Sequence, residues 1–420
     1  MISIRKYSIL IPTRNSVEYL SSCIWSVLSQ KCLNFELIIS DNHSTDSTWE
    51  YLQSLNDIRV RVVQPETCLS MTDHWEWLLS HATGEWVSII GTDDGLQPYF
   101  FELADHLTVV AEKKGIRAIN STRAYFFWKG CEARYSNEMV AFSAKPVVTI
   151  KHTVVQTLIT LLKSKDYFDL PQMYTTALFR RDLIEQAKGL QNGRFYTSLT
   201  PDANGATVVC SLDKRYLDCK IPLGWVGSSP KSNGYSSSGK VSNAESIKAI
   251  DVAVCTDFKA LNLCSNIKWD ERAGSQDIFS VTLIFWEAML QTYRLQSDSM
   301  RRMISSQLMK TFMFGAVLYE IQSAKNRTSV RLDYLHEAIK LNQCSLRMVI
   351  LAAGLSSLTR KIAQYIDIMT TRTVSKAKKR ARLFLSWDDH ADFDLGMASN
   401  MVDALNKKEK FVERLVLSKS

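Results

Sequence analysis

No stretch of this sequence holds the run of about eighteen consecutive apolar residues that a membrane-crossing helix needs. The longest weakly polar stretches, Ile278 to Phe285 and Val349 to Leu358, have the length of core helices. Cys-x-x-Cys and His-x-x-x-His spacings are both missing, so neither a zinc site nor a redox pair is written locally. The 9 cysteines (23, 32, 68, 131, 210, 219, 255, 264, 344) are odd in number and scattered, which excludes a disulfide framework and fits reduced thiols in a cytosolic setting. His74 and His81 share a helical face and read as ordinary amphipathic positions. The opening Met-Ile-Ser-Ile-Arg-Lys has no long apolar region or small-residue cleavage site, so no secretory signal is expected. No fixed-period repeat is visible, and charge of one sign does not dominate: 51 Lys and Arg against 43 Asp and Glu leave +8, a mild attraction for anions.

With 420 residues, 46% of them hydrophobic and 10% aromatic, the chain can bury a large core and divides into two folding units. Ser8-Ile-Leu-Ile-Pro12 reads as a buried strand, and Val17, Leu20, Ile24, Val27 and Leu28 recur at helical spacing behind a cap at Asn15 or Ser16. Phe35 to Ser40 predicts a second strand, Thr48 to Leu55 a short helix, and Ile58 to Val63 a third strand. Ser70 or Thr72 opens a helix through Ala82, Gly84 stands where a helix C-cap belongs, and Trp86 to Ile90 is the fourth strand. A helix from Gln97 to about Lys114 and a strand at Ile116 to Asn120 follow. Strands that are continuously apolar and alternate with helices indicate a mostly parallel, Rossmann-like sheet covered on both faces.

In such sheets ligands bind beyond the carboxyl ends of the strands. Three polar clusters fall there: Pro12-Thr-Arg-Asn15, Asp41 to Asp46, and Gly91-Thr-Asp-Asp94. Asp93 and Asp94 are adjacent hard oxygen ligands in a turn after a buried strand, suited to Mg²⁺ or Mn²⁺ bridging a diphosphate; alone, such a dipeptide is more often a solvated turn. Asp41 to Asp46 offers donors and acceptors to a base and ribose, and equally makes an Asx turn. Pro12 to Asn15 can line an anion site through backbone groups and a helix N-terminus.

These segments, Ser8-Ile-Leu-Ile-Pro-Thr-Arg-Asn15, Glu36 to Asp46 and Gly84 to Pro98, resemble the pattern of glycosyltransferase family 2, of the GT-A fold, over roughly residues 5 to 235. The resemblance implies a nucleotide-diphosphate sugar as donor, UDP-sugar favoured, bound by Pro12, Thr13, Asn15, Asp41, Asn42, Thr92, Asp93 and Lys231, with Mn²⁺ or Mg²⁺ held by Asp93 and Asp94. Gly91 departs from the pattern, standing where the family commonly has the first aspartate of its Asp-x-Asp, and this puts strict metal dependence in doubt. Thr200-Pro-Asp202 carries its own structural explanation as an N-cap, a first-turn proline and a first-turn carboxylate. It also matches the segment in which family 2 enzymes place their general base, so Asp202 is the implied catalytic residue of an inverting transfer to a glycan hydroxyl. Two alternatives stay open: a nucleotidyltransferase, against which the glycine-free loop after the first strand argues, and a non-catalytic nucleotide-sugar-binding subunit of a polysaccharide assembly complex.

The Gly-, Pro- and Ser-rich stretch Ile221 to Gly239, holding Lys231, reads as a mobile loop, either a lid or a connector. Turn clusters nearly vanish beyond Ser242, so a GT-A catalytic domain over 1–240 and a mainly helical domain over 241–420 are expected. Within the latter, Ser246 to Ile350 with Trp286, Met289, Tyr293 and Met300 reads as a packing or oligomer scaffold. From Leu358 to Trp387 apolar positions precede Arg372, Lys376, Lys378, Lys379, Arg380 and Arg382, a basic helix able to lie on an anionic membrane, with a solvated helix face as the equal alternative and no nucleic acid expected. The family resemblance then suggests a polyprenyl-diphosphate-linked acceptor in O-antigen, capsule or exopolysaccharide assembly. The matching location is cytoplasmic, peripheral on the inner face of the plasma membrane.

Overall fold

The structure, a computed structural model, describes residues 6–131, 137–161, 166–232, 280–323, 330–375, 381–386 and 393–417. Its strands are β1 (Tyr7–Thr13), β2 (Phe35–Asp41), β3 (Val60–Val63), β4 (Trp86–Ile89), β5 (Gly95–Leu96), β6 (Ala118–Ser121), β7 (Ala124–Phe127), β8 (Glu138–Ala144), β9 (Val147–His152), β10 (Ala177–Arg180), β11 (Arg215–Cys219), β12 (Gly224–Ser228), β13 (Ala381–Ser386) and β14 (Val416–Leu417). Nine form one sheet in the order β14-β9-β11-β6-β10-β4-β1-β2-β3. β1 pairs in parallel with both β2 and β4, β2 with β3, and β6 with β11, while β10 runs antiparallel to β4 and β6, and β9 runs antiparallel to β11 and parallel to β14. The other five strands, β13-β8-β7-β12-β5, make a second sheet.

The expected parallel core with helices on both faces is present, and β1 shows why its residues are continuously apolar. Tyr7, Ile9 and Ile11 point into a cluster with Leu20, Ile24 and Val27 of α1 (Val17–Leu28), Leu52 of α2 (Thr48–Gln53) and Leu103 and Leu107 of α4 (Phe100–Lys113). Leu10 points the other way, to Leu78 and Leu79 of α3 (Met71–Leu79) and to Val208 and Val209 of the helix Pro201–Leu212. Alternation along a strand buried on both faces thus feeds two cores.

Gly84 is not a helix cap: α3 ends at Leu79 with Ser80 after it, and Gly84 sits against β1. A Cβ there would lie 2.6 Å from the Ser8 backbone nitrogen, and the Gly84 N–H donates to Ser8 Oγ at 2.7 Å. Close backbone approach, not a left-handed turn, explains this glycine.

The helices Val281–Gln291, Asp298–Ile304, Gln307–Ser323 and Leu332–Leu341 build a further core around Trp286, Met289, Met313 and Phe314, as the scaffold reading of this segment expects. This core includes Ala203, Ala206 and Cys210, so it packs directly behind the helix that carries Asp202. The proposed boundary near residue 240 lies outside the described residues. The continuous basic helix expected over 358–387 is corrected: the helix Leu346–Ser375 ends before Ala381–Ser386, a strand paired with β8 that carries Leu383, Phe384 and Leu385. Lys376, Lys378, Lys379, Arg380 and Trp387 lie outside the described residues. The chain then returns to the first core through the helix Leu395–Glu409, with Leu395, Ala398 and Val402 buried and Ser399 accepting from Trp225 Nε1 at 3.1 Å.

His74 and His81 do not meet over a metal. His74, 4% exposed, contacts Ser40 Oγ at 2.6 Å, while His81 Nδ1 lies 2.9 Å from the Trp77 carbonyl. Burial pulls the His74 pKa from 6.5 down to about 4. Its unfolded form takes up a proton below pH 6.5 that the folded form refuses, so stability falls as pH drops from about 6.5 toward 4, by roughly 3 kcal/mol in all. Urea unfolding of His74→Gln at pH 7.5 and 4.5 is expected to show a correspondingly smaller difference than the unsubstituted protein. Equal pH sensitivity in both would refute the assignment.

Candidate active site

The register of the parallel strands β1, β2 and β4 places the polar clusters together. Thr13 pairs with Asp41 at the carboxyl ends of β1 and β2, and Leu10 pairs with Ile89 at the end of β4, with the Ile90 N–H donating to the Leu10 carbonyl at 2.9 Å. Pro12–Asn15, Asp41–Asp46 and Gly91–Asp94 therefore share one rim of the sheet. The first two are also bonded to each other. The Asn15 side chain accepts from the Thr45 N–H at 2.7 Å, the Asn15 N–H donates to Ser44 Oγ at 2.9 Å, and the Ser16 N–H donates to Thr48 Oγ1 at 3.1 Å. Thr13 Oγ1 lies 2.6 Å from Ser16 Oγ.

Asp41 is fully buried and accepts from Gln64 Nε2 at 2.8 Å, from the Ser44 N–H at 3.1 Å and from the Ser44 hydroxyl, so the Asx-turn reading of this segment is realised. Asn42 is spent on the neighbouring loop: its amide donates to the Leu69 carbonyl and accepts from the Leu69 N–H, both at 2.9 Å. Pro12 and Thr92 are partly exposed at the rim. Lys231 stands over the start of α1, its Nζ 3.4 Å from Glu18 Oε2 and 5.9 Å from the centre of the Tyr19 ring. Of the loop expected over Ile221 to Gly239, Gly224–Ser228 form β12 instead, and the residues from 233 onward lie outside the described residues.

The two acidic neighbours have different surroundings. Asp94 accepts from the Gly91 N–H at 2.8 Å, the Gly227 N–H at 2.7 Å, and the hydroxyls of Thr175 and Tyr174. A carboxylate has about four acceptor sites, so these donors fill it. Through these bonds Asp94 ties the acidic turn to β12 and to the segment 172–176. Asp93, 9% exposed, keeps its carboxylate at the rim, where Ser229 Oγ donates to Oδ2 at 2.8 Å, and its carbonyl accepts from Trp128 Nε1 at 2.8 Å. Burial, and then the negative charge of Asp94, hold the Asp93 carboxyl well above the usual carboxylate range; burial likewise raises Asp94.

Among the described residues no group of three or more His, Cys, Asp or Glu can hold a metal, and no ion pair joins Asp93 or Asp94. An all-protein metal cage is thereby excluded for those residues. Two desolvated carboxylates side by side without a counter-cation make the acidic turn a place that a divalent ion fits.

Asp202 is at the second position of the helix Pro201–Leu212, and Thr200 takes the N-cap position without a side-chain capping bond. The loop before it is pinned to α3. Glu76 accepts from the N–H groups of Phe195 (2.9 Å) and Tyr196 (2.7 Å), Thr72 Oγ1 donates to the Ser198 carbonyl at 3.0 Å, and Asn204 Oδ1 accepts from the Thr197 and Ser198 N–H groups. Burial raises the Asp202 pKa. The Ala203 N–H at 2.7 Å, the cation of Arg123 and the Tyr167 hydroxyl oppose that shift.

A segment that the sequence does not mark connects Asp202 to the acidic turn. Gln172 to Thr176 runs beside β4, with the Thr175 N–H donating to the Ile89 carbonyl at 2.7 Å. On one side it touches the helix of Asp202 so closely that a Cβ on Gly205 would fall 2.2 Å from the Gln172 carbonyl oxygen. On the other, the Tyr174 hydroxyl bonds to Asp94 and occupies the space beside Gly91, where a Cβ would lie 2.4 Å from it. Gly91 is glycine because Tyr174 fills that place. Burial, and after it the charges of Asp94, Asp93 and Asp202, raise the Tyr174 pKa, so this hydroxyl lies in the field of all three carboxylates and is bonded to Asp94. Tyr174 also stacks on Trp75, ring centres 5.5 Å apart. Arg123 joins from the β6–β7 turn, donating to Gln172 Oε1 at 2.7 Å and lying over the Phe168 ring at 4.9 Å. Tyr174, Thr175, Ser229, Tyr167 and Arg123 are thus site residues absent from the sequence reading. Met173 turns the chain here through a positive φ of 53°, at a residue type that gives no such signal.

Residues 8–108 match the family model "Glycosyl transferase family 2". Glycosyltransferase GlyG of Streptococcus pneumoniae serotype 4 is 33% identical over 89 residues, 21% of this chain and 30% of its own length. The UDP-Glc:alpha-D-GlcNAc-diphosphoundecaprenol beta-1,3-glucosyltransferase WfaP of Escherichia coli is 30% identical over 87 residues, 21% of this chain and 35% of that protein. The matched segment thus spans about a third of the curated relatives' length. Among solved structures, S. aureus TarS 1–349 in complex with UDP-GlcNAc aligns over 85% of this chain and 92% of that one, with a TM-score of 0.43 and 15% identity. The mannosyltransferase PcManGT of Pyrobaculum calidifontis, in complex with GDP-Man and Mn²⁺, aligns with a TM-score of 0.38 and 13% identity over 86% of each chain. The family 2 match over residues 8–108 takes in the parallel strands β2, β3 and β4, most of β1, and the three polar clusters at their rim.

Proposed function

We propose that this protein is an inverting glycosyltransferase that moves a sugar from a nucleotide-diphosphate donor, a UDP-sugar in first place, to a hydroxyl of a lipid-linked glycan during surface-polysaccharide assembly. The observation that carries the reading is the linkage of Asp202 to the acidic turn through Gln172–Thr176, at the rim shared with Thr13 and Asp41. A base and a diphosphate-binding turn facing one cleft are what a single displacement at an anomeric carbon needs.

Pro12–Asn15 and Asp41 line the nucleotide side, and Asp93 faces the diphosphate. Asp202 takes the proton from the acceptor hydroxyl as it attacks from the face opposite the leaving group, which inverts the centre. Asp93 would hold Mn²⁺ or Mg²⁺, which supplies charge stabilisation for the departing diphosphate when bound. A polyprenyl-diphosphate acceptor is supported by the diphosphoundecaprenol-linked acceptor of the E. coli relative, and it would place the protein at the cytoplasmic face of the membrane.

A thermal-shift panel of UDP- and GDP-sugars with and without Mn²⁺, followed by nucleotide-diphosphate release with the stabilising donor, tests the proposal. A ligand at a hundredfold over its Kd adds about 2.7 kcal/mol of stability and is readily seen. Stabilisation by one nucleotide sugar, with diphosphate release on adding a glycan acceptor, is expected. Stabilisation without release under any acceptor would point to a non-catalytic binding subunit, and no response to any nucleotide sugar would overturn the reading altogether.

A further inference from the structure

The helix Leu346–Ser375 is apolar on two opposite faces. Val349, Ala352, Ala353 and Ser356 are buried on one side, where the helix packs against Gln307–Ser323 so tightly that a Cβ on Gly315 would lie 2.5 Å from the Ala352 Cβ. On the other side Met348, Leu351, Leu355, Leu358, Ile362 and Tyr365 follow one another at steps of three and four and form a single stripe along the helix. That stripe is in the open: Leu351 is 65% exposed, Leu358 54% and Tyr365 63%. An apolar stripe of this length on a helix already packed through its opposite face calls for a second contact.

Charge selects the occupant. From Ala338 to Ile366 the sequence has Lys340, Arg347, Arg360 and Lys361 and no acid. Arg360 turns inward to Asp166 at 3.3 Å, whereas Arg347 and Lys361 are exposed beside the stripe. A second copy meeting this face would set cations against cations; an anionic lipid surface would meet both the stripe and its flanking charges. No single helix among the described residues is long and apolar enough to cross a membrane. The pair Leu332–Leu341 and Leu346–Ile362, which passes by composition, is bent by 120° and is held on its inner side by protein.

We infer that the outer face of Met348–Tyr365 is a docking surface for an anionic bilayer, lying in the headgroup plane rather than spanning it. This moves the centre of the membrane contact from the cations Arg372 to Arg382 of the segment 358–387 to an apolar stripe that overlaps the start of that segment, and it stands apart from the transferase reading, since its readout is binding.

The full chain is sedimented with vesicles of phosphatidylcholine containing about 30% phosphatidylglycerol, and with phosphatidylcholine alone. Binding to the anionic vesicles that weakens with salt is expected. Leu351→Glu with Leu358→Glu, at exposed positions that leave the melting temperature unchanged, is expected to weaken it by at least about tenfold. Arg347→Glu with Lys361→Glu should weaken it by a comparable factor, while reversal of Lys378, Lys379 and Arg380 leaves most of it. Equal vesicle binding by the leucine variant and the unsubstituted protein would overturn the inference. So would loss of binding on reversing Lys378, Lys379 and Arg380 alone. A dimer in light scattering that the leucine substitutions split, without vesicle binding, would assign the face to a second copy of the chain instead.

Discussion

Asp202→Asn should lower turnover by on the order of a hundredfold or more while leaving donor affinity within a few-fold of the unsubstituted protein. The substitution keeps the shape of the side chain and an oxygen for the Ala203 N–H that now donates to Asp202 Oδ1 at 2.7 Å. It removes only the capacity to take up a proton and the negative charge felt by Tyr167, Tyr174 and Tyr196. The loop Phe195–Ser198 and the helix Pro201–Leu212 are held by Glu76, Thr72 and Asn204, none of which the change touches, so the cleft keeps its form. Because burial raises the Asp202 pKa, the acidic limb of the unsubstituted enzyme's rate profile should fall at a higher pH than an ordinary carboxylate would give, and activity should be lost as pH drops through it. In the variant the share of that limb due to Asp202 should be absent from the residual rate, leaving the titration of Asp93. Diphosphate release measured against pH, with donor affinity from calorimetry, checks both statements. Turnover within twofold of the unsubstituted enzyme would remove Asp202 from the chemistry.

The parallel half of the main sheet was legible because each strand there is a short continuous apolar run ended by a polar cluster. Tyr7–Thr13, Phe35–Asp41 and Trp86–Ile89 lie within a residue or two of where periodicity puts them, and the clusters that end them meet on one rim. Thr200-Pro-Asp202 was legible for a local reason too, since proline fixes the first turn of a helix. What the sequence concealed is non-local. Gln172–Thr176 has neither period nor turn signal, yet it fills the space between Asp202 and Asp94, and its place depends on contacts with β4 and with Gly205. Gly91 could be read only as a missing carboxylate, because the Tyr174 hydroxyl that occupies its side-chain space comes from 83 positions further along the chain. Gly84 was misread by the same route: a glycine after a helix suggests a cap, and only the tertiary fold shows β1 pressed against it. The return of Ala381–Ser386 to β8 is likewise invisible locally, as a basic run followed by Leu-Phe-Leu suits a helix face as well as an edge strand.

Asp93 and Asp94 should respond to substitution with opposite signs in stability. Asp94→Ala strands the N–H groups of Gly91 and Gly227 and the hydroxyls of Thr175 and Tyr174 in a buried place. Each unsatisfied buried donor costs about 1–3 kcal/mol, and with partial relaxation the variant should lose about 3–5 kcal/mol and its activity with it. Asp93→Asn keeps an acceptor for Ser229 Oγ and removes one of two adjacent buried negative charges, so without added metal its melting temperature should be unchanged or higher. Its activity should nevertheless fall by two orders of magnitude or more, and the extra stabilisation that Mn²⁺ gives together with the donor nucleotide should disappear, because the cation loses the carboxylate that faces the diphosphate. Thermal melts of both variants, with and without Mn²⁺ and nucleotide, separate the roles. An Asp94→Ala variant that melts with the unsubstituted protein would show that its four bonds do not hold the turn, and an Asp93→Asn variant with an intact Mn²⁺ response would take the cation away from Asp93. The two outcomes are independent, since one reads the hydrogen bonds that shape the turn and the other reads the charge the turn presents.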